Sequence, residues 1–379
     1  MNCLGIYIHI PYCLHKCGYC DFNSHVAREQ EMPDYVSALL KEIEIAACSI
    51  DPEVQIQSIF LGGGTPTTLP AESLEKILTR CRRRFSLKKD CEITFESNPA
   101  SVSLDQLRRL HRIGYNRISI GVQSFQLNEL KTLDRIHTKD EAVAAVDFAK
   151  RAGFENISID LMFALSDQTP ASWQDTLSQA LELAPNHIST YNLMIEPNTA
   201  FFGLHKNGRL KMPEEEQQLS YYQESIRRLT RAGYEHYEIS NFSKPGKQCR
   251  HNKIYWNNGD ALGFGAGASR FINGMRSKNI DLPSDYIKKI SKDGDATESS
   301  ECLQKEDSMA ETLMLGLRML KGVDILEFEA RYNVSFISHY QKILDKLSQN
   351  DLIHLTGKQL ALTTKGLYLA DSVIMEFMN

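Results

Sequence analysis

The sequence predicts an α/β fold: six β-then-α units forming an open, partial (β/α)6 TIM-like barrel, followed by a small C-terminal winged-helix-like domain. Two observations carry this prediction. Short apolar runs alternate with longer helical patterns through the first two-thirds of the chain, and the alternation stops after Gly233. Strands joined through helices run parallel with right-handed crossovers, and six units fall short of the eight that close a barrel. A Rossmann-like open sheet is the alternative. In both arrangements the active groups belong at the C-terminal ends of the strands.

The strands, in order, are GIYIHI (5–10), SIFLGG (58–63), CEITFE (91–96), RISIGV (117–122), NISIDLMF (156–163) and HISTYNL (187–193). Their apolar, β-branched and aromatic content suits strands covered on both faces. Helical patterns lie between them, near 33–48, 71–84, 103–113, 138–152, 170–184 and 213–232. Ser103 with Gln106 and Thr138 with Glu141 are capping-box pairs, and Gly114 and Gly153 stand where helices should stop. Residues 1–232 therefore read as the barrel, and 233–290 as an extension with a strand at 234–240 and a Gly/Asn-rich region at 241–274. The polar stretch 291–301 reads as a linker. In the C-terminal domain, 302–379, two short strands precede a helix entered through Thr363 and Thr364. Without a concentrated basic helix, this domain suits protein contact or packing on the barrel better than nucleic acid.

Composition narrows the function classes. The 379 residues are 42% hydrophobic and 24% charged, as in ordinary soluble proteins, with a net charge of −5 that argues against an electrostatic nucleic-acid binder. The RCRRRF run at 80–85 falls late in a helical pattern, where basic residues complement the helix dipole. No apolar run approaches the roughly 20 residues that span a bilayer, and the first residues lack a signal-peptide pattern, so the cytoplasm is expected. The nine cysteines are unevenly spread and suit a reducing compartment.

Three of those cysteines, Cys13, Cys17 and Cys20, lie in PYCLHKCGYCDFN, just after the first strand. One loop thus supplies three thiolates. A structural zinc would need a fourth ligand, from His9, His15 or a distant cysteine. An iron–sulfur cluster held by three cysteines would leave one iron open for chemistry. FLGGGTPTTL ends the second strand, and its glycines allow backbone N–H groups to approach a charged ligand where a Cβ would obstruct. Glu96, Gln123 and Asp160 end or line later strands, and Arg135 follows Gln123. Singly each reads as a loop or core hydrogen bonder. Together they form a ring of polar groups on one face. CRHNKIYWNNGD (249–260) sets His251 beside Tyr255 and Trp256, which by residue type alone is a packed turn.

The C-x3-C-x2-C loop after the first strand of a parallel βα protein resembles the radical S-adenosylmethionine superfamily. The longer string YIHIPYCLHKCGYCDFNSH is similar to the oxygen-independent coproporphyrinogen III oxidase-like family and its heme-chaperone branch, over nearly the whole chain. The resemblance implies a barrel of the radical SAM type with a 4Fe-4S cluster on Cys13, Cys17 and Cys20, whose open iron binds S-adenosylmethionine. It assigns Gly63, Gly64 and Thr65 to the methionine amino group. Glu96, Gln123, Arg135 and Asp160 fall to the ribose, carboxylate and amine. Tyr7, Tyr19 and the main chain near Met194 lie around the cluster and adenine. HNKIYW matches the HNxxYW pattern of the chaperone branch, which implies a heme site at His251, Asn252, Tyr255 and Trp256, with Cys249 as the alternative iron ligand.

Two departures separate the chain from true coproporphyrinogen oxidases. Phe22 follows Asp21 where their cluster loop continues C-x-C, and their long segment before the cluster motif has no counterpart ahead of Cys13. Gly18, Ser166, Asp167 and Asn198 also replace residues usual in the family. The expected function is a heme chaperone that passes heme to an apo-hemoprotein acceptor, membrane-associated or not. An electron donor such as a flavodoxin or ferredoxin is implied, a homodimer is compatible, and no nucleic acid is expected. The alternatives are radical decarboxylation of coproporphyrinogen III and an RNA-modifying radical enzyme; acidic charge and HNKIYW count against the latter.

Overall fold

The computed structural model describes residues 3–378. The six expected strands are present as β1 (Cys3–Ile10), β2 (Gln55–Gly63), β3 (Ser86–Ser97), β4 (Arg117–Gln123), β5 (Ile157–Phe163) and β6 (His187–Asn192). They pair in parallel, each with the next, as short strand–helix connections require. The helices between them are α1 (Met32–Ala47), α2 (Ala71–Arg84), α3 (Leu104–Ile113), α4 (Lys139–Arg151) and α5 (Pro170–Glu182), and α6 (Glu215–Arg231) follows β6. Gly114 caps α3 in the left-handed region, and Thr138 and Glu141 close a reciprocal capping box on α4. At α3 the box is half made. Ser103 accepts from Gln106 N, but the Gln106 amide donates to the Thr67 carbonyl instead (3.3 Å).

The sheet extends beyond these six strands at both edges. Beyond β6 come β7 (Glu235–Glu238) and β8 (Asn241–Ser243), both antiparallel, so 234–240 does contribute a strand. On the free edge of β1 a seventh parallel strand, β9 (Ala261–Phe264), is followed by antiparallel β10 (Ser269–Ile272), β11 (Met275–Asn279) and β12 (Thr297–Cys302). The order is β12-β11-β10-β9-β1-β2-β3-β4-β5-β6-β8-β7, an open sheet. Two expectations need correction here. The Gly/Asn-rich region contains β8 to β10 as well as a helix, α7 (Arg250–Trp256), and the 291–301 stretch begins as the end of a helix (Pro283–Asp293) and finishes as strand β12. A polar segment such as TESSEC carries no apolar alternation, because as an edge strand it is held by main-chain pairing and faces solvent.

The faces of the parallel strands also differ from expectation. Ile6, Ile8, Ile59, Leu61, Ile118 and Ile120 alternate with inward residues and join the core beneath the helices. The register sets Tyr7, Phe60, Thr94 and Arg117 in one row across β1 to β4, and Glu96, Ser119, Ser158 and His187 in another across β3 to β6. The inner face is therefore largely polar.

Residues 305–375 form a separate layer with the element order of a winged helix: α9 (Lys305–Gly316), β13 (Val323–Asp324), α10 (Ile325–Tyr332), α11 (Phe336–Gln349), β14 (Ile353–Leu355), β15 (Gln359–Leu362) and two short helices, the first capped by Thr363; α8 (Pro283–Asp293) precedes β12. This layer has its own core around Phe328, Phe336 and Leu344. It packs on the barrel edge. Ile239 N donates to Arg318 O (3.0 Å), Leu320 N to Tyr237 O (3.1 Å), and the Asn258 amide to Thr312 Oγ1 (2.9 Å). The arginine run ends α2, where Arg80 and Arg84 both pair with Glu44 of α1. Among the described residues no helix is long and apolar enough to cross a membrane.

Glu42 ties the added strands to the barrel. Its buried carboxylate accepts from Gly265 N (2.8 Å), Asn279 Nδ2 (2.6 Å) and Tyr286 Oη (2.7 Å), joining α1, the β9–β10 turn, β11 and α8. Glu42→Ala strands three buried donors at about 1–3 kcal/mol each before relaxation. We expect a loss of about 3 kcal/mol or more in urea unfolding.

Candidate functional site

The loop after β1 is pinned by main-chain bonds on both sides. Gly64 N donates to Ile10 O (2.8 Å), Thr65 N to Tyr12 O (2.7 Å), and Ala27 N to Cys13 O (2.8 Å). These place Cys13, Cys17 and Cys20, all unpaired and partly exposed, around one cavity of about 470 Å3 at the C-terminal ends of the strands. Each thiol has a different polar neighbour: Thr65 Oγ1 donates to Cys13 Sγ (3.6 Å), Arg135 Nη1 donates to Cys17 Sγ (3.6 Å), and Cys20 Sγ lies 3.7 Å from Ser24 Oγ. Burial raises the Cys13 and Cys17 thiol pKa values, and the Arg135 charge opposes this at Cys17. Among the described residues no three His, Cys, Asp or Glu side chains converge on a single-ion position.

The remaining walls come from the strand ends the sequence singled out. Gly63 to Thr65, Glu96, Gln123, Arg135, Asp160 and Tyr19 all face this cavity, with exposed Met194 at its rim. Glu96 accepts from Gly63 N (3.2 Å), and burial together with the Asp160 charge pushes its carboxyl up to about 8. Gln123 sits at a bulge in β4 with φ 65°, and its Oε1 is buried without a partner. Arg135 donates to Gly121 O (2.7 Å), while its Nε is also buried and unpartnered. Tyr19 packs edge-on against Phe201.

The glycines act differently from the expectation. A Cβ on Gly64 would lie 2.6 Å from Tyr12 O and 2.9 Å from Ile10 O, and one on Gly63 would strike His9. The bare backbone lets β2 approach the thiol loop. A Cβ on Gly62 would instead meet the Glu96 carboxyl, which lines the cavity. His9 and His15 are also committed: His9 bonds Tyr7 Oη (3.0 Å) and Asn23 O (2.7 Å), and His15 bonds Asp134 (2.7 Å).

Tyr7 lies deeper in the barrel, away from the thiols, and stacks on Phe60 and His251. HNKIYW forms α7, which is laid against β1 and β2. His251 is 1% exposed, with Nδ1 bonded to Ser58 Oγ (2.9 Å) and Nε2 to Tyr255 Oη (3.1 Å). Burial and the Arg117 charge lower its pKa to about 3, so the imidazole is neutral. The packed reading of this segment therefore holds at His251, which sits inside the barrel wall and offers no exposed face to a heme. Trp256 lies under Arg318 of the C-terminal layer (4.5 Å), with Nε1 unpartnered. Cys249 is fully buried, donates to Glu92 (3.6 Å) and has its thiol pushed up to about 12, so it is no exposed ligand either.

The profile of the Radical SAM superfamily matches residues 7–180, and that of the HemN C-terminal domain matches residues 303–369. The heme chaperone HemW of Bacillus subtilis (strain 168) is 36% identical over 374 residues, 98% of both chains. The chain belongs to the HemW family. Within that family, the heme chaperone HemW of Escherichia coli (strain K12) is 39% identical over 334 residues, 86% of this chain and 85% of its own. The HemW-family fold also matches a solved structure, the Escherichia coli coproporphyrinogen III oxidase HemN, described as a radical SAM enzyme. The TM-score is 0.87 at 27% identity, covering 99% of this chain and 90% of that one.

Sequence reasoning missed a second group of residues. Arg117, Ser119, His187 and Ser189 line an inner cavity with Tyr7 and Tyr255. Their signal was available as polar residues at every second position of β3 to β6, inside runs that look apolar overall.

Two expected outcomes follow from this geometry. Gly64→Ala should lower stability by roughly 1–3 kcal/mol in urea unfolding, because rigid main chain must move. Gly203→Ala, in a helix with no atom within 4 Å of the new Cβ, should be neutral or slightly stabilising. The second concerns pH. A histidine held at about 3 when folded and near 6.5 when unfolded leaves stability intact above about 6.5 and removes it as pH falls. At pH 5 the loss from His251 alone is about 2 kcal/mol, so Tm should fall between pH 7 and 5, and His251→Asn should make that fall shallower.

Proposed function

We propose that the chain is a heme chaperone that retains the cofactors of the radical SAM superfamily. The observation that supports this most is the convergence of three thiols, the Gly63–Thr65 turn and the unpartnered Gln123 and Arg135 atoms on one cavity, in a chain related to heme chaperones over 98% of its length. Thiols spread around a cavity suit a polynuclear centre, whereas a zinc ion needs ligands closing to about 2.0–2.3 Å. His9 and His15, the local candidates to complete a zinc site, are hydrogen-bonded elsewhere.

In this reading Cys13, Cys17 and Cys20 hold a 4Fe-4S cluster, and the cavity beside them takes S-adenosylmethionine. When bound, the cluster supplies the electron that cleaves the sulfonium. Gly63, Gly64 and Thr65 present main chain to the methionine amine. Glu96, Gln123, Arg135 and Asp160 orient the ribose and carboxylate, while Tyr19 and Met194 cover the cluster and adenine side. Tyr7 acts one layer deeper. Heme is the cargo, its acceptor an apo-hemoprotein, and its docking segment α7 with Tyr255 and Trp256. His251 is enclosed and can reach iron only by giving up the partner of the nitrogen that binds, Ser58 at Nδ1 or Tyr255 at Nε2, so ligation by His251 is coupled to opening of α7.

The test is anaerobic reconstitution followed by heme titration. We expect about four irons and four sulfides per chain, lost in Cys13→Ala, Cys17→Ala or Cys20→Ala and kept in Cys48→Ala. Heme should bind with a Soret band that shifts in His251→Ala, at a rate that saturates with heme concentration and rises in Ser58→Ala. The likeness to HemN favours one second reading, an oxidase. Conversion of coproporphyrinogen III to protoporphyrinogen IX would replace the chaperone reading with that one.

A further inference from the structure

Beneath the thiol-lined cavity the barrel encloses a second one of about 200 Å3, deeper along the strands. Glu96, Asp160 and Tyr191 belong to both walls, so the two spaces adjoin. On the far side lie Asn252 and Tyr255 of α7.

Arg117 dominates the chemistry of this inner space. It is 2% exposed, it lines the cavity, and its Nε has no hydrogen-bond partner. A buried guanidinium without a paired anion is costly, and its nearest acidic neighbours are engaged elsewhere. Glu92 accepts from Arg250 N and His251 N (3.2 Å each) and from Cys249. Asp160 accepts from Ser119 Oγ (3.2 Å), and Glu96 is bonded by Gly63 N. Thr94 Oγ1, next to Arg117 in the register, is also buried and unpartnered.

We infer that the inner cavity is a carboxylate-binding site, with Arg117 as its anchoring cation and the Asn252 amide as a further donor. The guanidinium fork matches the two oxygens of a carboxylate. A single fixed positive charge among Glu92, Glu96 and Asp160 suits a singly charged anion better than a doubly charged phosphate. The space holds a few heavy atoms only. A free short-chain carboxylate fits it, and so does the propionate arm of a porphyrin; that second source alone rests on the heme reading. HNKIYW acquires a second use here: Asn252 and Tyr255 face the ligand, and His251, bonded to Tyr255, is a positioning residue.

The test uses the full-length chain kept anaerobic. Sodium propionate labelled with carbon-13 at the carboxylate is titrated by NMR against equal sodium chloride. Saturable broadening in the wild type and at least about tenfold weaker binding in Arg117→Met are expected, as for loss of a charge-assisted pair. Asn252→Leu, on a half-exposed position, should weaken binding about threefold and serves if Arg117→Met fails to fold by circular dichroism. Heme and its dimethyl ester are then compared. A tenfold preference for the free acid that disappears in Arg117→Met assigns the site to the propionate arm; no preference, with saturable propionate binding, assigns it to a free carboxylate. Failure of heme to bind at all removes the chaperone reading and leaves the propionate titration to decide this one. Propionate binding that never saturates, or is unchanged in both variants, overturns the inference, as does methylammonium binding in place of propionate.

Discussion

The buried carboxylate of Glu92 is the contact on which the inner architecture turns. It lies on β3 and accepts the first N–H groups of α7, those of Arg250 and His251, along with the Cys249 thiol. A helix start has unsatisfied N–H groups and a partial positive charge, so an anion supplied from the barrel wall holds α7 at that place. Everything HNKIYW does follows from this. His251 reaches Ser58, Tyr255 reaches His251, and Trp256 is presented to Arg318 at the boundary with the C-terminal layer.

A polar barrel interior and an open sheet belong together. A closed eight-stranded barrel fills its centre with side-chain layers, usually branched and apolar. Here the inner rows carry Glu92, Thr94, Glu96, Arg117, Ser119 and Asp160, and the sheet remains open between β12 and β7. Such groups are tolerated when they bond one another, bond main chain, or face a ligand. Most do the first two. Among the atoms that do neither, those of Gln123 and Arg135 belong to residues lining the thiol cavity, and that of Arg117 to a residue lining the inner one beside α7.

The C-terminal layer is docked through main-chain bonds and through Arg318, whose guanidinium covers Trp256 and approaches Glu238 at 3.9 Å. Its position therefore bears on α7 directly. Trp256 and His251 share this helix, so the C-terminal layer touches the same element that places His251 in the barrel wall.

The sequence by itself determined the parallel order of β1 to β6, the thiol loop, and the strand-end ring of Glu96, Gln123, Arg135 and Asp160. Each is written in local signals: apolar runs bounded by turns, cysteine spacing, and polar residues closing strands. Resemblance to a family added meaning to those residues but did not move them. Only the tertiary structure decided the rest. Strands β9 to β12 depend on pairing with β1 and with one another, and segments such as ALGF and TESSEC have no periodicity of their own. Gly64 of FLGGGT faces main chain at Ile10 and Tyr12, and Gly63 the His9 ring, because β1 and β2 run side by side. HNKIYW reads by residue type as a packed turn, but what its histidine packs against is not legible, because the partners that enclose it, Ser58 and Glu92, are about 160–190 residues away in sequence. Local pattern encodes which elements form. Burial and partnership across such distances are set when the sheet assembles around α7.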